Sequence, residues 1–234
     1  MQTDSSIIQV IPLCDVRTAG RACRPIARRN SDGSTLLTQD SLKIVHFPHP
    51  ALRWESKPLR RVDSELRAMV RQMFELMYEA RGIGLAANQV ALPYQLFVLN
   101  LTGDPEQEDQ ERVLVNPVIV KRKGTQEEEE GCLSLPEVFA TVRRSKSVQV
   151  TAYDLEGNEQ TLSADGLEAR ALQHEIDHLQ GILFIDKLAE AARLSVSEEL
   201  LRFEQRYRHG VDRGEIEPEA ETHQRLRELE GRRT

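Results

Sequence analysis

The stretch 173–181 reads Gln-His-Glu-Ile-Asp-His-Leu-Gln-Gly, and it carries three side chains of the types that hydrolytic metal sites use. His174 and His178 stand four apart, so on a helix both imidazoles leave one face toward one point. Glu175 points off that axis, near enough to exchange a proton with a water on a metal without ligating the ion. Two nitrogen donors and a proton-moving carboxylate are the parts of metal-assisted hydrolysis. The ordinary alternative is a pair of surface histidines. The chain has only 6 histidines in 234 residues, which favours the metal, but the motif alone does not choose a reaction. The third ligand must come from elsewhere, because His209 follows a helix break and the acids downstream belong to a charged tail.

A helix has to present these groups, and the residues before them supply one. Asp165 is a plausible N-cap, and Leu167, Ala171, Leu172, Ile176 and Leu179 keep a helical apolar rhythm. The other long helix signal runs from Asp63 to Ala80, where Leu66, Met69, Val70, Met73 and Met77 recur at three and four. Such a stripe is core packing. Strands are expected at 43–47, at 96–99 and at 113–120, the last interrupted by Asn116-Pro117 as a turn or edge feature. Ser147 to Ser163 reads as a hairpin turning at 155–158. The acidic run 127–130 is read as a solvated loop.

Two further segments hold candidate site residues. Gly82-Ile83-Gly84-Leu85-Ala86-Ala87 matches a dinucleotide fingerprint in form, but a helix precedes it where a strand should. That reading is rejected; the small residues instead imply close backbone approach. Gln89 is polar within this apolar run, either a hydrogen-bond donor in a site or a satisfied buried amide. Cys132 lies in a glycine-flanked segment. It is either a thiolate completing a three-ligand metal set or an inert buried thiol.

Composition bounds the rest. At 39% hydrophobic and 29% charged, the chain fits a soluble globular domain with tails. It shows no apolar run of membrane-spanning length and no secretory segment. A net charge of -7 argues against gripping DNA or RNA as its main work. Three cysteines make no disulfide framework, so a reducing, cytoplasmic setting is expected. Residues 1–40 lack apolar periodicity, hold Cys14 and Cys23, and are read as a disordered extension; their arginines leave organelle targeting as the alternative. Residues 41–190 form the expected catalytic domain. Residues 191–234 form a charged helical tail, with one helix bearing Val196, Leu200, Phe203 and Tyr207 and stopping at Gly210. A second, mostly solvated helix starts at Pro218.

Three segments taken together, Gly82 to Gln89, Glu130-Gly131-Cys132-Leu133-Ser134 and His174 to His178, resemble the three signature motifs of bacterial peptide deformylases, in the right order and with compatible spacing. The resemblance covers roughly residues 42–190. It implies an α+β fold in which antiparallel β-sheets surround a central metal-binding α-helix, with a charged C-terminal helix. It implies a hydrolase of protein biosynthesis that removes the formyl group from N-formyl-methionyl nascent peptides and releases formate. Cys132, His174 and His178 would hold one divalent ion, Fe²⁺ first and Zn, Ni or Co as alternatives. Glu175 would be general base and acid, Gln89 and the Leu133 N–H would stabilise the oxyanion, and Ile83, Gly84 and Gly131 would contact the peptide. An iron thiolate site also implies oxygen sensitivity.

The sequence departs from that pattern in two places. Relatives commonly carry an acid where Arg81 stands, which puts in doubt a charge pair with Arg143 or Arg144. The family's C-terminal helix is often basic and linked to transient ribosome association, whereas 194–234 holds 8 arginines, no lysine and 10 acids. A zinc metallopeptidase explains neither Cys132 nor Gln89. A retired, binding-only homologue would be expected to lack a ligand or Glu175. Oligomeric state is not legible.

Overall fold

The computed structural model describes residues 41–234; Cys14, Cys23 and the arginine-rich segment lie outside them. The elements run α1 (Ser64–Glu79), β1 (Gly84–Ala86), β2 (Leu96–Leu99), β3 (Arg112–Lys123), β4 (Gln126–Cys132), β5 (Leu135–Arg144), β6 (Ser147–Tyr153), β7 (Glu159–Asp165), α2 (Gly166–Leu179), α3 (Glu190–Ser195), α4 (Ser197–Asp212) and α5 (Glu219–Arg233). Short 3-10 helices at Pro50–Arg53, Ala87–Val90 and Phe184–Lys187 join them.

Five strands form one antiparallel sheet in the order β1-β2-β3-β6-β7, and β4 and β5 pair separately. Strand β2 explains the layering. Alternate residues of a strand face opposite sides. Leu96 and Val98 therefore join the cluster of Leu66, Val70, Met73 and Met77 from α1. Phe97 and Leu99 join Leu172 and Ile176 from α2 on the other side. The metal-motif helix is thus enclosed: the sheet packs on one side, while on another Arg170 bonds Glu130 of β4 and the Val142 carbonyl of β5, and His174 stacks on Phe184 of the 184–187 turn. Asp63 caps α1 through the Leu66 N–H at 2.8 Å, as its position predicts.

Several sequence expectations are corrected. Residues 43–47 form no strand; they are extended chain tied by Val45 N–H to the Gln89 carbonyl (2.8 Å) and Phe47 N–H to the Ser134 carbonyl (2.9 Å). Asn116-Pro117 is a bulge inside the middle strand, with Asn116 at φ +50° and its amide bonded to both backbone groups of Leu59. The acidic run is strand β4, and its last member, Glu130, is buried. Asp165 precedes α2, but its carboxylate accepts from the Ser147 hydroxyl instead of capping the helix. Gly210 lies within α4, packed where a Cβ would meet Ile216 at 2.5 Å. Helix α5 does begin after Pro218, yet Thr222, Leu226 and Arg233 are buried against the domain. Mean charge hides that face, because only one side of a helix needs to pack.

Candidate active site

Helix α2 brings His174 and His178 side by side, their Nε2 atoms 3.3 Å apart. Cys132, at the end of β4, places its Sγ 3.2 Å from His178 Nε2. The three donor atoms all lie within 4.8 Å of one another. Of the two readings open for Cys132, the structure supports the ligand-like one: a buried thiol whose partners are two imidazoles.

The donor set suits a divalent ion. Thiolate with two imidazoles is a three-ligand arrangement that leaves a position free for water or substrate. His174 turns its Nδ1 to Glu130 Oε2 at 3.2 Å, which leaves Nε2 for a metal, as ligating histidines are normally arranged. Glu175 Oε2 and His178 Nδ1 are buried with no hydrogen-bond partner among the described residues. Orphaned buried polar atoms are costly, and the Glu175 oxygen, on the cleft beside the three donors, is placed to meet a group besides the protein. His178 Nδ1 lies across the ring from Nε2, the atom that faces Cys132 and His174.

The acidic partner of His174 belongs to a buried charge cluster. Glu130 accepts from Arg144 Nε (2.5 Å) and Nη2 (2.8 Å) and from Arg170 Nη1 (2.5 Å). Arg144 reaches on to Asp177 at 2.6 Å, and Lys187 meets the same carboxylate at 3.0 Å. Burial alone would push the Glu130 carboxyl up, but hydrogen bonds and charge from His174 and Arg144 hold it far below the usual carboxylate range. Burial works against a charged His174 as well. Hydrogen bonding to Cys132 and Glu130 overrides it and raises that imidazole. Burial and the neighbouring His174 push His178 the other way.

Glu175 differs from Glu130 in having few donors around it. Burial pushes its carboxyl up to about 7, against the opposing charges of His174 and Arg144. A carboxyl poised near neutrality both takes and gives a proton at working pH. Gly84 makes room for it: a Cβ there would lie 2.6 Å from Glu175 Oε1. Gly82 and Gly131 are small for the side chains of Leu133 and Phe139. Ala86 and Ala87 are fully buried in the two cores, so packing, not approach of a ligand, accounts for them.

Gln89 is fixed at both ends of its amide. Its Oε1 accepts from the Ala86 N–H at 2.8 Å, and its Nε2 donates weakly to Cys132 Sγ (3.4 Å) and Ser134 Oγ (3.3 Å). Leu133, Ile83, Gly84 and Gly131 line the same cleft, with about 480 Å³ of space open to solvent. Eight of the nine sequence-derived site residues thus line one cleft, and the ninth, His178, is buried against Cys132 and His174. Sequence reasoning missed Arg144, Arg170 and Asp177 as partners. Arg170 stands four residues before His174 on an apolar helix, and an arginine so placed demands a buried acid. Arg144 is engaged with Glu130 and Asp177.

A polypeptide deformylase family model matches residues 41–194. A peptide deformylase of Rhodopirellula baltica is 44% identical over 189 residues, covering 81% of this chain and 94% of that protein. One from Neisseria meningitidis is 45% identical over 149 residues, 64% of this chain and 87% of that protein. The crystal structure of a plant peptide deformylase superposes with a TM-score of 0.71 at 41% identity, over 75% of this chain and 95% of that one.

Proposed function

The chain belongs to the polypeptide deformylase family, metal-dependent hydrolases that remove the N-terminal formyl group of newly made polypeptides, and from that premise we propose the role of each residue in its cleft. Cys132, His174 and His178 hold the ion, and Fe²⁺ is the proposed occupant, with Zn, Ni and Co accepted by the same donors. When bound, such an ion polarises a carbonyl oxygen and makes water acidic enough to attack near neutral pH. Glu175 takes the proton of the attacking water at its free oxygen and returns it to the departing peptide amine. Formate and a free N-terminus result. Gln89 Nε2 and the Leu133 N–H donate to the oxygen that becomes negative, where losing one donor of this kind costs about 10²–10³-fold. Strand β1 is the edge of its sheet, so Ile83 and Gly84 are proposed to receive the peptide backbone as an added strand, with Gly131 across the cleft.

Residues 41–190 are taken as the catalytic unit and 191–234 as an accessory to it. No helix among the described residues is long and apolar enough to cross a membrane, and action in the cytoplasm, with transient ribosome contact, is proposed. The convergence of Cys132 with both histidines carries this reading. Its test is formate release from a formyl-Met tripeptide by anaerobically purified protein of measured metal content, beside Glu175→Ala and an unformylated peptide. Metal-dependent release that collapses in Glu175→Ala is expected. Full metal with undiminished release from Glu175→Ala would remove that residue from the proton path.

A further inference from the structure

Helix α5 is tied to the catalytic domain along its length, and the place it meets is the back of the segment carrying Gln89. Leu226 is fully buried against Ala51 and Ala91, with Val45 and Trp54 packed around them. Ala91 closes the 3-10 helix Ala87–Val90 in the left-handed region, at φ +54°. Arg225 Nη1 also lies 3.5 Å from the Ala91 carbonyl. Trp54 Nε1 donates to Glu230 at 2.7 Å. At the far end of α5 the buried Arg233 guanidinium joins Asp63, Glu65 and Tyr94 Oη.

The segment beneath α5 in turn grips Gln89 from both sides. Asn88, its neighbour, donates to the Trp54 carbonyl (2.6 Å) and accepts from Ser56 Oγ (2.9 Å). Val45 N–H holds the Gln89 carbonyl, and Phe47 N–H holds the carbonyl of Ser134, whose hydroxyl meets Gln89 Nε2. Residues 43–47 belong to no sheet. Their order rests on such contacts, and Val45 meets α5 through the Leu226 cluster.

We propose that α5 is a positioning element for catalysis: by packing on Ala51 and Ala91 it fixes the backbone of Gln89, and through it the aim of that amide at the developing oxyanion. This rests on the role given to Gln89 above. Leu226 and Trp54 are positioning residues; neither lines the cleft. A side chain displaced by about 1 Å from its reactive geometry can cost about 10²-fold, and residues coupled at a distance typically change the outcome by roughly 2- to 30-fold.

The experiment is a double-mutant cycle on the full-length, metal-loaded protein, using Leu226→Ala and the gentler Trp54→Phe, each alone and combined with Gln89→Ala. Steady-state deformylation gives kcat and KM, and thermal unfolding shows which variants are folded at the assay temperature. The expected result is a fall in kcat of roughly 2- to 30-fold for Leu226→Ala, and a smaller fall for Trp54→Phe, with KM nearly unchanged. With Gln89→Ala present, the same substitutions should have almost no further effect. Equal losses with and without Gln89 would overturn the proposal, as would full kcat in Leu226→Ala. Should Leu226→Ala not fold, the Trp54→Phe cycle decides alone by the same criterion. If Gln89→Ala by itself leaves kcat intact, the oxyanion role fails, and that failure is visible in the single variant.

Discussion

Glu130→Gln changes one charge and leaves the shape, and the structure says what the charge is holding. The carboxylate is 2% exposed and accepts from two buried guanidiniums while facing His174 Nδ1. A glutamine keeps one acceptor oxygen and turns an NH₂ toward those same donors. Arg144 would be left with Asp177, and Arg170 with the half-exposed Glu128 at 3.4 Å. Breaking a buried ion pair by removing one partner costs about 3–5 kcal/mol. Against a total of about 5–15 kcal/mol the variant still folds. At about 2–4 °C per kcal/mol for a chain of this size, Tm should fall by about 6–20 °C.

A second effect is local to the ligand. Loss of the acceptor that orients a ligating histidine typically weakens metal affinity by about 10–100-fold. The assays are urea and thermal unfolding of the apoprotein, and titration of the apoprotein with Zn²⁺ or Co²⁺. Further replacement of Arg144 by methionine should recover part of the stability, since an apolar group tolerates the site that an unpaired cation does not. It should not recover the affinity. A stability loss below about 1 kcal/mol, the value of a surface pair, together with unchanged affinity, would refute the claim that this cluster is desolvated and holds His174.

Gly84→Ala should leave the fold intact but cut kcat by about 10²-fold, because the new Cβ displaces the Glu175 carboxylate; kinetics beside a melting curve checks it, and normal kcat would show the carboxylate needs no such room. Gly181, at φ +70°, faces the Arg53 carbonyl where a Cβ would lie 2.6 Å away, so Gly181→Ala should cost more than about 1 kcal/mol, read from urea unfolding. Burial, and then the charge of Arg225, bring the His49 imidazole down to about 4 from 6.5. The unfolded chain therefore takes the proton first. The stability from a neutral His49 is complete above pH 6.5 and is lost as pH falls toward 4. Relative to His49→Asn, the native chain should lose about 2–3 kcal/mol more between pH 7 and 4.5, and parallel curves would rule this out.

What the sequence made legible follows from how local each signal is. The His174–Glu175–His178 triplet and the Asp63 cap are statements about neighbours on one helix, so spacing alone carries them. The 147–163 hairpin is equally local, and β6 and β7 pair across it in continuous register from Ser147↔Asp165 to Tyr153↔Glu159. Cys132 and Gln89 are ambiguous as residues because their meaning is a distance of 3.4 Å across the fold; periodicity offers no choice between their readings, and only the family resemblance proposes one. Four acids in a row look solvated until a partner strand and two arginines are supplied. Glu130 shares a face of β4 with Glu128, and both reach Arg170, but only Glu130 lies deep enough to be buried.

The same reasoning explains why the packing face of the C-terminal helix, mostly solvated as its sequence predicts, is not legible in that sequence. Its sequence offers a few apolar positions among many charges, and its burial is made by complementary pieces from elsewhere: two alanines that leave a socket for Leu226, and the Asp63–Glu65 pair that receives Arg233. Asp63 has two duties, capping α1 with the Leu66 N–H and pairing with Arg233. A single carboxylate thereby links the start of the first helix to the end of the last. Asp63→Asn separates these duties, since asparagine caps nearly as well as aspartate but carries no charge for the guanidinium. If the C-terminal helix is held by that charge, proteolysis of Asp63→Asn should release a fragment ending before α5 while α1 and the core stay protected. Unchanged resistance would place the anchor in Leu226 and Trp54 alone.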